Sequence, residues 1–156
     1  MWNRNPETVS LVKGAAEGLT GLNAFDNALL EAGIGNLNLI KVSSIVPKGA
    51  KITPLPDIPP GSLTPTVYSY ITSSIPGEIL SACVGIGLSD NELGLIYEYS
   101  HRGSARTAEE IVRRMIEEGF KKRNLKLTDL RTVSSEHKVE RVGCALAAAV
   151  LWWEES

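Results

Sequence analysis

From Thr8 to Lys13 apolar and polar positions alternate, with Val9, Leu11 and Lys13 on one side, which predicts a strand. Leu22 to Ala32 repeats at helical spacing through Phe25, Leu29 and Ala32, with Asn23 as the expected cap. Gly33-Ile34-Gly35-Asn36 ends that helix, because glycine takes left-handed backbone angles freely. Leu37 to Ile45 is apolar and β-branched and predicts a second strand. The pattern then breaks. Six of the eight prolines lie between Pro47 and Pro65, and proline lacks the amide donor that ladders and helices use, so a long irregular connection is expected there. Val67 to Ser73, Glu78 to Leu88 and Leu93 to His101 predict three more strands, the last two joined by the turn-prone Ser89-Asp90-Asn91-Glu92.

Arg106 to Asn124 carries the clearest amphipathic stripe: Ile111, Val112, Met115, Ile116 and Phe120. Thr107 and Glu110 have the spacing of a capping box, and Lys121, Lys122 and Arg123 suit the negative end of the helix dipole. Two final strands are expected near Leu130 to Glu140 and Val142 to Trp153. The predicted order is β-α-β-β-β-β-α-β-β. Strands do not alternate regularly with helices, so a doubly wound parallel fold is disfavoured. An α+β domain, with helices on mostly antiparallel or mixed sheets, fits better.

Composition narrows the picture. A chain of 156 residues fits one domain, and 43% hydrophobic with 22% charged residues is the profile of an ordinary globule rather than a disordered chain. Net charge is −2, which gives no electrostatic footprint for nucleic acid. Cys83 and Cys144 are far apart, and His101 and His137 lack metal-ligand spacing, so neither a disulfide framework nor a Cys/His zinc site is expected. The start, Met1-Trp2-Asn3-Arg4-Asn5-Pro6, lacks a leader pattern, and the apolar run Cys144 to Trp153 is about half the length of a membrane helix. A cytoplasmic chain with no membrane partner and two buried thiols is the expectation.

Most residues with chemical potential read as structure. Gly33-Ile34-Gly35 follows a helix and lacks the third glycine of a dinucleotide loop. Glu136-His137 is a weak acid/base pair, and Trp152 and Trp153 suit a core or an interface. The departure is Leu39-Ile40-Lys41-Val42-Ser43-Ser44-Ile45-Val46-Pro47. By composition it is a strand end entering a turn. Chemically, a serine hydroxyl can attack the preceding carbonyl, shift the acyl group from nitrogen to oxygen, and lose the resulting ester by β-elimination. Hydrolysis of the new N-terminus then leaves a pyruvoyl carbonyl, an electron sink comparable to pyridoxal phosphate. The fold would have to strain or polarise that one peptide.

At these residues the chain resembles the archaeal-type pyruvoyl-dependent arginine decarboxylases. The matching runs are T-V-S-L-V from Thr8, L-N-A-F-D-N-A-L-L-E-A-G-I-G-N-L-N-L-I from Leu22 and V-S-S-I-V-P from Val42. They continue with P-L-P from Pro54, Y-I-T-S-S-I-P-G-E from Tyr70, G-L-I-Y-E-Y from Gly94, and E-H-K-V-E-R-V-G-C-A-L-A-A-A-V-L-W from Glu136. N-A-F-D, G-I-G-N-x-N-L-I and S-S-I-x-P in that order form a specific combination.

The resemblance implies a single domain over 1–156, cleaved between Ser43 and Ser44 into a β chain (1–43) and an α chain (44–156). It implies a four-layer αββα sandwich and a homotrimer with active sites at subunit interfaces. The cofactor would be a covalent pyruvoyl group made from Ser44, and the reaction L-arginine to agmatine and carbon dioxide. Glu98 would be the proton donor, a role that calls for a raised pKa through burial beside residues such as Ile96. Glu136 and Glu78 are its competitors. Asp26 would take the guanidinium through paired hydrogen bonds. Asn38 would serve processing and substrate alignment. Leu22, with Gly35 to Leu37, would line the arginine slot, and the freed Ser43 carboxylate would assist binding. The alternatives are a decarboxylase of another amino acid and an unprocessed, non-catalytic homologue.

Overall fold

The computed structural model describes residues 3–155; Met1, Trp2 and Ser156, the ends of the expected domain, lie outside them. The described residues form one α+β domain with two helices and two sheets. Strand β1 (Thr8–Glu17) leads to helix α1 (Gly21–Glu31), followed by β2 (Asn38–Lys41), β3 (Ile45–Val46), β4 (Lys51–Ile52) and β5 (Leu63–Ser73). Then come β6 (Ile79–Leu88), β7 (Gly94–Arg102), helix α2 (Ala105–Lys122), β8 (Asp129–Lys138) and β9 (Gly143–Trp152). A five-stranded mixed sheet has the order β2-β5-β9-β1-β4. A four-stranded antiparallel sheet has the order β3-β7-β6-β8.

The continuous apolar run of β9 is explained by burial on both faces. Ala145, Ala147, Ala149 and Leu151 join the cluster that holds Leu80, Ala82, Val84 and Ile86 of β6. Their alternates Cys144, Leu146, Ala148, Val150 and Trp152 join Ala24, Ala28 and Leu29 of α1. On β6, Cys83 turns the other way, toward Val112, Ile116 and Phe120 of α2. Alternation of side chains thus assigns each central strand to two separate cores. The helices seat closely because small residues lie beneath them: a Cβ added to Gly14 would stand 2.1 Å from the Ala28 carbonyl oxygen.

Several expected boundaries move, each for a physical reason. Thr20 rather than Asn23 caps α1; its Oγ1 accepts from the Asn23 N–H at 3.2 Å. Gly33, with φ 86°, ends that helix as expected. Ser104 rather than Thr107 caps α2, accepting from the Thr107 N–H at 3.2 Å, and Glu110 pairs with Arg106 instead of completing a capping box. The proline-rich stretch is not wholly irregular: β4 pairs with β1, and β5 begins at Leu63 and includes Pro65. Pairing with β9 starts only at Thr66, so on that side Pro65 has no ladder to interrupt.

The strand expected over Leu37 to Ile45 is split. β2 pairs with β5 in the first sheet and β3 with β7 in the second, so the chain changes sheets at Val42-Ser43-Ser44. Among the described residues no helix is long and apolar enough to cross a membrane.

Candidate active site

The change of sheet is fixed on both sides of the serine pair. The Val42 N–H donates to the Thr66 carbonyl at 3.2 Å, on β5. The Ile96 N–H donates to the Ser44 carbonyl at 2.7 Å, on β7. Ser43 is the one residue between these two anchored neighbours, so the Ser43–Ser44 peptide bridges the sheets.

That bridge borders a cleft of about 330 Å³, lined by Lys41, Val42, Ser43, Ser44, Ile96, Glu98 and their neighbours Val67, Tyr97 and Met115. Glu98 reaches it through strand alternation. Leu95, Tyr97 and Tyr99 pack beneath α2, whereas Ile96 belongs to the cluster between the sheets, and Glu98 shares its side of β7. The Glu98 side chain is one-third exposed (33%), and its Oε1 lies 3.4 Å from Nζ of Lys41. Its Oε2 is buried and has no hydrogen-bond partner among the described residues. Ser81 Oγ and Glu7 Oε1 share that status away from the cleft, and Glu98 Oε2 is the one such atom among the described residues that borders it.

Lys41 did not stand out in the sequence. The available signal is a lone cation in the apolar run before the serine pair. Its ammonium also lies 5.0 Å from the centroid of the Tyr68 ring, within cation–π range. Tyr68 belongs to an aromatic group with Phe25 and Tyr70, the latter two with centroids 4.3 Å apart.

The structure brings together Ser43, Ser44 and Glu98. It does not bring the other expected site residues to that cleft. Leu22 and Asp26 lie one turn apart on the solvent side of α1, Leu22 being 77% exposed. Gly35 packs directly against Leu30, and Leu37 is half-buried in the cluster under α1. Asn38 opens β2 and donates from its side-chain amide to the Gly61 carbonyl at 2.8 Å.

The competing acids are occupied elsewhere. Glu136 accepts from the Ala105 N–H at 2.9 Å, at the start of α2. Glu78 bonds Arg102 at 2.9 Å; hydrogen bonds from Ser73 and Arg102, with the Arg102 charge, hold its carboxyl below the usual range despite some desolvation. His101 meets the Ser104 carbonyl and His137 meets Glu17. Burial pushes the thiols of Cys83 and Cys144 up to about 12, so both stay protonated and unreactive at neutral pH. Among the described residues no three His, Cys, Asp or Glu side chains group as metal ligands.

The sequence model for pyruvoyl-dependent arginine decarboxylase (PvlArgDC) matches residues 8–156. A pyruvoyl-dependent arginine decarboxylase of Methanocaldococcus jannaschii is 52% identical over 151 residues, covering 96% of this chain and 92% of the relative. Proteins of that name from Methanococcus maripaludis and Pyrococcus furiosus are 49% and 50% identical, covering 96% and 94% of this chain. With a serine pair bridging two sheets beside an unpartnered carboxyl oxygen, and with this likeness over nearly its whole length, the chain belongs to the pyruvoyl-dependent arginine decarboxylase family.

Proposed function

We propose that this protein decarboxylates L-arginine to agmatine and carbon dioxide, after cutting itself between Ser43 and Ser44. The observation that carries this reading is the placement of Ser44 at the sheet crossover, in one cleft with Glu98 and its unpartnered Oε2. In the cut, Ser44 Oγ attacks the Ser43 carbonyl carbon and the amide nitrogen departs, leaving an ester. Loss of the Ser44 α-proton expels Ser43 as a carboxylate, and water then releases ammonia from the new N-terminus. The tethers at Val42 and Ser44 support this step, since they hold the peptide from both sides while its geometry changes.

The residues present fit a pyruvoyl group: a serine at the position that would become it, a cleft beside it and a carboxyl within that cleft. The group supplies an electron sink for the pair released with carbon dioxide. Glu98 then places a proton on the substrate α-carbon. Asp26 holds the guanidinium, and Leu22, Gly35 and Leu37 flank the side chain. Asn38 aligns the β2 end of the cleavage segment.

The full site is best assembled from two subunits of a trimer. Within one chain Asp26 and Leu22 lie away from the serine cleft, on a helix face that leaves Leu22 at 77% exposure, with Leu19 nearby at 89%. Such apolar exposure suits a buried contact between copies. We likewise read the three cores as separating four layers, in the order α1, the five-stranded sheet, the four-stranded sheet and α2. Chains 1–43 and 44–156 then form one domain.

Incubation with L-arginine tests the function directly, with agmatine and fragment masses taken on the same sample. Agmatine together with two fragments divided at Ser43/Ser44 is the expected result. A single intact chain that makes no agmatine overturns it.

A further inference from the structure

The ion pair between Lys41 and Glu98 joins strands of different sheets across the cleft, at 3.4 Å. Among the described residues Lys41 is the one cation lining that cleft and Glu98 the one anion. The two oxygens of Glu98 are unequal: Oε1 faces the ammonium, and Oε2 is buried with no partner among the described residues. We infer that Lys41 is a positioning residue for Glu98, holding Oε1 so that Oε2 is the oxygen that carries the proton to the substrate. The inference rests on the decarboxylase reading and deepens it.

The charge count supports that role. When carbon dioxide leaves, the electron pair of the broken bond stays with the substrate. A proton from Oε2 to the α-carbon takes up that pair and leaves Glu98 a carboxylate. A cation already in contact stabilises that carboxylate as it forms, without reorganising. Cleavage adds the Ser43 carboxylate to the same cleft, and without Lys41 it would face the newly formed Glu98 carboxylate uncompensated. The Tyr68 ring backs the ammonium at 5.0 Å and narrows its range of positions. Once the chain is cut, Lys41 belongs to the segment ending at Ser43 and Glu98 to the segment starting at Ser44, so the pair also ties the two together.

Lys41→Met and Lys41→Arg test this in the self-cleaving protein and in an uncleavable Ser44→Ala background. Lys41→Met should process fully, leave KM for arginine within about threefold and lower kcat at least tenfold; Lys41→Arg should restore most of kcat. In crystals of Ser44→Ala and Ser44→Ala/Lys41→Met, the Glu98 carboxylate should move or split when the lysine is lost. An unmoved carboxylate, or parental kcat in Lys41→Met, overturns the inference. Parent protein that makes no agmatine would instead overturn the decarboxylase reading, and the crystal pair would still decide the positioning role. Should Lys41→Met fail to fold, Lys41→Gln is read by the same criteria.

Discussion

The backbone N–H of Ile96 donates to the carbonyl of Ser44 at 2.7 Å, so the second serine is docked on β7 two residues before Glu98. The bond fixes register between the cleavage segment and the strand that carries the acid. It involves only backbone atoms, so substitution of either side chain leaves it available, and the chemistry can be dissected without dismantling the site.

Ser44→Ala removes the hydroxyl that attacks the Ser43 carbonyl. The expected product is one uncut chain with no agmatine formation. Denaturing mass spectrometry and an agmatine assay check both at once, and agmatine from the uncut variant would exclude a pyruvoyl route.

Glu98→Gln keeps the shape of the side chain and removes the transferable proton. Cleavage should proceed, with kcat lower by about 10²–10⁴, the usual contribution of a positioned acid. KM should change far less, because the lost interaction belongs to the transition state. Unchanged turnover would move the acid role to another group.

Asp26→Ala should act on binding. Loss of a charge-assisted pair of hydrogen bonds, about 1.5–3 kcal/mol, corresponds to a rise in KM for arginine of roughly 10- to 100-fold. Cleavage at Ser44 should be intact. An unchanged KM would remove Asp26 from the guanidinium site.

The Glu17 carboxylate gathers a turn: it accepts from His137 at 2.6 Å and from the N–H groups of Arg141, Val142 and Glu140. Burial acts to raise its pKa, but these hydrogen bonds outweigh it and bring the value to about 2, against an ordinary 4.5. A carboxyl depressed on folding stabilises fully above its unfolded value and loses that contribution as pH falls through its folded one. Parent protein should therefore exceed Glu17→Gln in Tm at pH 6, and the gap should narrow progressively from pH 4.5 toward pH 2. A constant gap across that window would show that Glu17 acts only through packing.

Gly14→Ala should destabilise without touching the cleft. The added methyl would stand 2.1 Å from the Ala28 carbonyl oxygen, a backbone atom, so α1 must shift. Overpacking of this kind costs about 1–3 kcal/mol, readable as a lower urea midpoint.

The sequence made the long strands and both helices legible because each buries a face with its own period. β9 reads as an unbroken apolar run since both of its faces are covered. Val42-Ser43-Ser44 was harder. A β-branched run signals extended backbone but not which sheet supplies the hydrogen bonds, so the transfer from β5 to β7 leaves no mark in composition. The caps moved because Thr20 and Ser104 stand just outside the apolar stripes that located the helices. The site divided similarly. Ser43 and Ser44 stood out as a serine pair ending a β-branched run and Glu98 came from resemblance, whereas Lys41 became visible only when β2 and β7 were set side by side. An ion pair between distant positions has no local signature.

Strand β1 lies inside the five-stranded sheet, between β9 and β4, and runs the full length of β9 from Thr8↔Trp152 to Glu17↔Gly143. Both neighbours come after Ser44 in the chain. A cut at Ser43–Ser44 therefore leaves the shorter fragment threaded through the longer one, as an internal slat rather than a detachable tail. Dissociation would require unzipping the sheet from within, so the fragments should stay together through purification. Complete denaturation changes the kinetic order: the newborn chain folds by itself, but the separated fragments must meet, and their recovery becomes second order in concentration.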